Sequence, residues 1–466
     1  MERLPKLIPG WIMRYWYLQD NKPADYPDTS SEFRVTYDSE AQENAVKALE
    51  EEIAAAVENG AEVSVFPQSE VPENMEYGEF LGVYNVSANL NELTLANPNK
   101  VEAYTDSAVV MHYNEESAAW EKVPSEIIDG YVYATFESLS PVAVYTIRRN
   151  VYNATDLDLD MFVANGLPIT IEEGAEGKVN ITDVFGNIHE VDSTKFIVGG
   201  TYNEPGHIDE INVTMESGTV AKIYAGSVNF VEGQASIGVS RLTINGGSIT
   251  TLATAGGMYN CYVDETNLIM NGGEAMAIAS GNVSYYKTYM DANPEVPTVD
   301  SPSHVKEANM VLNDGSASYV YNGGSNGNGF VQEANLIING GKFGSICGSS
   351  NGITEKANVN VIGGEIGSLQ SVNRGTMKEA CFNVSGGNIT KLFMGAESGD
   401  ATVNGVIEKV NAEIIGGTVS LHAGATGGVV ITPENGIIES VKVGANAAVT
   451  YMDEFDTNFA AVIENI

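Results

Sequence analysis

A short cassette recurs along the second half of the chain: asparagine, an apolar residue, any residue, an apolar residue, then a link into a glycine pair, as in Asn335-Leu336-Ile337-Ile338-Asn339-Gly340-Gly341. Eight copies align on their last glycine, Gly218, Gly247, Gly273, Gly315, Gly341, Gly364, Gly387 and Gly417, at spacings of 29, 26, 42, 26, 23, 23 and 30 residues. Six residues before that glycine stand Asn212, Arg241, Asn267, Asn309, Asn335, Asn358, Cys381 and Asn411. Next come Val213, Leu242, Leu268, Met310, Leu336, Val359, Phe382 and Ala412, and two positions later Met215, Ile244, Met270, Leu312, Ile338, Val361, Val384 and Ile414. All are apolar, at the period-two spacing of a half-buried strand. Past the glycine the second position is small or apolar throughout, from Val220 to Val419, and the fifth is apolar until His422 breaks the series. A second short strand should therefore follow each turn.

A coil of this kind cannot bury its apolar stripe alone, so the copies must stack, each strand pairing with its counterpart in the next coil. The fold expected is all-β, dominated by a parallel β-helix of about nine coils, with about 4.8 Å between coils. Asparagine at one matched position can pass amide hydrogen bonds from coil to coil, which makes Asn212, Asn267, Asn309, Asn335, Asn358 and Asn411 a structural ladder. Glycine at the following corner supplies positive φ and close approach. A sandwich with glycine-rich turns would not hold one template across eight copies. The 42-residue spacing contains Tyr285 to Val305 with Pro294, Pro297 and Pro302, an excursion expected to leave the wall as a loop.

The 466 residues suffice for two or three domains. Acidic residues number 62 against 23 basic, for a net charge of −39, which argues against nucleic acid or an anionic membrane as partner. No window reaches the apolar length of a membrane span. Cys261, Cys347 and Cys381 imply no disulfide framework, and two of them fall at or near interior positions of the coils. The first ten residues lack the apolar core of a signal peptide, which suits a protein made in the cytoplasm and released by lysis, with a mature or recombinant fragment of a secreted protein as the alternative.

Residues 1–30 hold four prolines together with Trp11, Tyr15, Trp16, Tyr17 and Tyr26, and their charges cancel, leaving the whole acidic excess downstream. An extended aromatic segment of this composition reads as an anchor into a larger assembly, with packing on its own neighbouring domain as the alternative. Residues 31–80 read as a small α/β segment: Ser39 to Gln42 forms a capping box, Val46, Leu49, Ile53 and Val57 a helical stripe, Gly60 a C-cap, and Glu62 to Phe66 a strand. Residues 81–150 read as a β-sandwich, with strands at Val101 to Tyr104, Ala108 to Tyr113, Tyr131 to Phe136 and Val142 to Ile147. Residues 151–200 bridge to the column and cap its open end, 201–450 form the β-helix, and 451–466 close it.

Val109 to Tyr113, Trp120 to Pro124, Asp129 to Val132 and Ser138 to Val142 resemble an Ig-like module common in surface proteins of gut Firmicutes and Bacteroidetes and in their phages. The text from Asn335 to Gly352 is similar to the glycine-rich β-helices of the same organisms. An anchor, an Ig-like neck and a distal β-helix resemble the layout of head fibres, capsid decorations and tail fibres of gut phages, including crAss-like ones. That resemblance implies a virion location on the particle surface, virion proteins of capsid or tail as partners, host or mucosal glycans as further partners, and room for a homo-oligomer.

Enzymes on β-helices need clustered carboxylates, paired as acid and base or holding Ca²⁺. Acidic residues in the coils read as sparse and unmatched between neighbouring turns, and the outward positions Thr214, Thr243, Ile269, Val311, Ile337, Asn360, Asn383 and Glu413 form a wall of small, apolar and amide groups. Asp156, Asp158 and Asp160 alternate with leucines, which would set three carboxylates on one strand face; they suit Ca²⁺, although a solvated face in so acidic a chain is the simpler reading. No other cofactor is implied. The five histidines, His112, His189, His207, His304 and His422, have no partner at metal-ligand spacing. No nucleophile motif or phosphate loop appears. The expectation is a non-enzymatic virion fibre or decoration protein, with a bacterial surface adhesin as the alternative and a polysaccharide lyase or glycosidase as the third possibility.

Overall fold

The computed structural model describes residues 12–13, 34–36, 74–87, 93–114, 119–136, 141–156, 159–282, 303–323, 329–349, 352–372, 375–396, 406–422, 437–452 and 463–466. The chain divides into two compact units, Met1–Asn150 and Val151–Ile466. Among the described residues every regular element is a strand.

The first unit contains two antiparallel sheets, of five and four strands. Thr105–Asn114 and Pro141–Arg149 pair at the centre of the larger one, where Val109, Val110 and Met111 on one strand and Val142, Ala143 and Val144 on the other are all buried. Three consecutive buried residues mean that both faces of this sheet are covered. Tyr131–Phe136 is a strand as expected, whereas Val101 to Tyr104 is the turn between Leu93–Lys100 and Thr105–Asn114. Tyr104 there has φ +62°, a left-handed value that no strand accepts. Ile12–Met13 pairs antiparallel with Leu93–Lys100, which lays this part of the N-terminal segment on its own domain. Trp11, Tyr15, Trp16 and Tyr17, the helix expected within residues 39–57 and the strand from Glu62 to Phe66 lie outside the described residues.

The second unit is a parallel β-solenoid of about eight coils, followed by one partial coil. One wall, the long sheet, stacks the strands that precede each corner glycine, from Gly206–Met215 to Val406–Ile414, with no register shift between consecutive coils. Leu336 pairs with Met310 and Val359, and Val359 with Phe382. Each of these four side chains is at most 3 % exposed, so the rungs form one continuous filled column. The second sheet carries the strands after the glycine, and Val228–Asn229 with Met258–Tyr259 makes a short third sheet in the early coils.

All eight corner glycines have φ between +79° and +93°. Backbone crowding adds to that requirement: a Cβ on Gly417 would lie 2.7 Å from the Gly387 carbonyl oxygen. The first glycine of such a pair answers to crowding alone, since a Cβ on Gly386, just before the corner Gly387, would sit 2.2 Å from the Ile362 oxygen.

The second sheet departs from strict repetition. Ile223 pairs with Ala253 and Ala253 with Ile278, so Leu252 is displaced from its expected rung by one extra residue in its coil. At the far end Leu392 pairs with Leu421, and His422 is matched with Phe393, 4.7 Å away between ring centroids. The apolar rung is thus filled by Leu421, and His422 belongs one place further on.

At the N-terminal end the strand direction reverses. Ile169–Glu173 continues the parallel stack against Gly206–Met215, and Lys178–Asp183 and Ile188–Asp192 then add antiparallel. Asp183, 5 % exposed, organises the hairpin by accepting bonds from the Phe185 and Asn187 N–H groups, the Asn187 side chain and His189. Burial opposes its charge, but the bonds from His189, Asn187 and Phe185 outweigh it and hold the carboxyl below the usual range. Its contribution to stability is present above the carboxyl's unfolded pKa and is lost as pH falls through the folded value. Acid unfolding should therefore begin at this end below about pH 4, and Asp183→Asn should remove that part of the acid sensitivity in a pH series followed by hydrogen exchange.

Candidate functional site

The long sheet's outward face is built from columns of residues that alternate with the buried rungs. Counting back from the corner glycine, the sixth, fourth and second positions face outward, with the eighth at their margin. In the sixth column Asn335 Nδ2 donates to Asn309 Oδ1 (3.0 Å) and Asn358 Nδ2 to Asn335 Oδ1 (2.8 Å). Amide-to-amide bonding therefore runs through Asn309, Asn335 and Asn358. Asn212 and Asn267 instead donate to Glu210 and Glu265 on their own strands (both 2.8 Å), and Asn411 donates to Glu439 (3.0 Å).

A second amide ladder, which the cassette reading missed, is the more regular. Asn271 donates to Asn245 (2.8 Å), Asn313 to Asn271 (2.7 Å), Asn339 to Asn313 (2.7 Å), and Asn245 to Glu216 at the top (2.9 Å). The signal was available in the Asn-Gly-Gly triplets at 245–247, 271–273 and 339–341, where the asparagine was read only as corner text. Between the ladders runs the fourth column, whose Ile269, Val311 and Ile337 stand in register and face water in part.

The carboxylates do recur at one matched position, against the sequence expectation. Glu265, Glu307 and Glu333 stand opposite one another on three consecutive coils of the eighth column. The signal stood in the linear text, since each glutamate lies eight residues before a corner glycine, two positions ahead of the asparagine that opens the cassette. The next coil answers with Lys356, which lies 3.4 Å from Glu333. Other cross-coil pairs are Arg241 with Glu210, Lys378 with Glu355, Lys342 with Glu365 (3.1 Å) and Lys409 with Glu439 (4.0 Å). Each such exposed pair contributes at most about 1 kcal/mol.

No family model, curated protein or solved structure matches the chain.

Asp156 and Asp160 do not follow one another along a single strand: Tyr152–Asp156 and Leu159–Val163 pair antiparallel, with Asp156 opposite Leu159 and Thr155 opposite Asp160, and Asp158 lies outside the described residues. Asp160 is engaged by Lys195 (3.3 Å) and Thr155 (3.3 Å). Among the described residues no group of three His, Cys, Asp or Glu side chains is arranged to hold a metal ion, and no helix is long and apolar enough to cross a membrane.

Cys261 and Cys347 are buried and Cys381 is partly so, all three as free thiols. Full burial pushes the Cys261 thiol up to about 12, and burial also raises Cys381, with Glu379 reinforcing it. Neither of these two is poised as a thiolate nucleophile. Of the loop expected from Tyr285 to Val305, residues 283–302 lie outside the described set; the wall strand resumes at His304, and Val305 is an interior rung.

At that margin the rings of Tyr262, His304 and Phe330 lie over one another on successive coils, with centroids 5.0 and 4.6 Å apart. Burial between the two neighbours lowers the His304 pKa, more than Glu355 and Asp264 raise it. The unfolded chain then binds the proton more readily than the folded one, so stability is full above the ordinary histidine pKa of about 6.5 and declines as pH falls below it. The melting temperature should drop between pH 7.5 and pH 5.5, and His304→Gln should flatten that drop; an unchanged slope would remove His304 as its source.

Proposed function

We propose that this chain is a non-enzymatic virion structural protein of a bacteriophage, a head fibre, capsid decoration or tail fibre. The N-terminal segment mounts it, an Ig-like neck follows, and the β-solenoid is displayed outward to meet host or mucosal glycans. The observation that carries the reading is the column itself: an interior filled rung by rung, with Arg241, Lys342, Lys356 and Lys378 on its outside each paired to a glutamate of a neighbouring coil. A net charge of −39 favours display at high local concentration over contact with nucleic acid or anionic lipid. The module resemblance in residues 109–142 supports the same setting.

Mass spectrometry of purified particles should find the chain at stoichiometric abundance. A truncation lacking residues 1–30 should keep the folded column and lose incorporation. Full occupancy of the truncated chain would remove the anchor role, and recovery of the intact protein from bacterial envelopes alone would replace the virion reading with that of an adhesin.

A further inference from the structure

On five consecutive coils, from Asn267 to Ser385, the three outward columns of the long sheet present fifteen side chains, and none of them is charged. Nine are asparagines, four are Ile or Val, and the others are Cys381 and Ser385; all are exposed or half-buried. A chain with 62 acidic residues would not be expected to leave such an area neutral by chance. The strip is about 13 Å wide and about 19 Å long by strand rise and coil spacing. Charge returns at both margins, in the column of Glu265, Glu307 and Glu333 on one side and at Glu274, Asp314 and Lys342 on the other. A core depleted of charge inside a charged rim is the compositional mark of a recognition surface.

The amides indicate what kind of ligand fits. An asparagine side chain has two N–H donors and two acceptor lone pairs. Asn271, Asn313 and Asn335 each give one bond and receive one along their ladders, so each retains one N–H and one lone pair for a ligand. One such donor and acceptor pair is offered on each of three consecutive coils, by Asn271 and Asn313 in one column and by Asn335 in the other. Between the ladders, Ile269, Val311 and Ile337 give a narrow apolar track. A polymer whose hydroxyls both donate and accept, whose ring faces are apolar, and whose units repeat at a similar rise meets all of these features. An acidic polymer would be repelled by the glutamate margin, and a second copy of this chain would bring its own acidic excess against it.

We infer that the charge-free strip of the long sheet binds an extended, uncharged polysaccharide lying parallel to the column axis. The inference rests on the display reading above and gives it a site and a ligand class. The test is affinity electrophoresis of the full chain through gels containing a soluble β-glucan, mannan or xylan, with polygalacturonate as the acidic comparison. Retardation is expected with at least one neutral polymer and not with polygalacturonate. Ile337→Lys, which touches neither ladder, should weaken retention about tenfold. Ser318→Asp, on the second sheet, should leave it unchanged, and matching melting curves would show that both variants fold.

Retention by polygalacturonate alone, retention that Ile337→Lys does not alter, or no retention on any polymer would overturn the inference. So would sedimentation showing a dimer that Ile337→Lys dissociates, because the strip would then be a self-interface. Stoichiometric incorporation into particles alongside absent binding would sink this inference and leave the display reading standing.

Discussion

Phe382→Ala should lower the unfolding free energy by about 3–5 kcal/mol, because a 1 % exposed ring is removed from a rung closed above by Val359 and below by Ala412. In a stack whose coils touch only their neighbours, the damage is local first. Urea unfolding followed by hydrogen exchange should show the coils around Phe382 losing protection before the column melts as a whole. Asn383→Ala, one residue along and facing water, should cost less than about 1 kcal/mol. Equal effects from the two substitutions would mean that the rung is not filled.

Gly417→Ala should be the more damaging of two superficially similar changes. Its φ of +81° costs an alanine about 1–2 kcal/mol, and the new Cβ would also meet the Gly387 oxygen at 2.7 Å and Gly386 backbone atoms at 2.8 Å. Gly177 has almost the same φ, +76°, and open space around it, so Gly177→Ala carries the conformational strain without the collision. The difference in melting free energy between the variants isolates the contribution of close coil approach, expected at about 2 kcal/mol or more. If the two lose equal stability, φ alone explains the glycine that recurs at the corner.

The column was legible in the text because its constraints are local and repeat. Apolar residues at alternate positions and a glycine whose φ must be positive leave the same mark in every coil, and Leu336, Val359 and Phe382 share one stack as that mark implies. The Glu265, Glu307 and Glu333 stack and the Asn245 to Asn339 ladder were legible as well, eight and two residues before the corner glycine, but lie outside the positions that define the cassette. What resisted reading is the pairing past the glycine, where one-residue slips in the second sheet displace Leu252 and His422 from their expected rungs. Asp156 to Asp160 failed differently: alternating Asp and Leu fits one strand, but Asp156 and Asp160 belong to two antiparallel strands, with Asp156 opposite Leu159.

The contrast between the two walls bears on how such a chain can change over generations. From Gly206–Met215 to Val406–Ile414 one wall pairs without a slip, shifting only at Val410/Asn411 where Ile437–Val443 adds, while the other absorbs slips at Val220/Lys222, Ile249/Ala253, Gln370/Val372 and Ile389/Leu392. A codon gained or lost in the first would turn every later side chain of its strand inside out. In the second it becomes a bulge that the neighbouring coils already tolerate. Length variation among descendants of this gene should therefore collect on one side of the column and spare the face that carries the amides.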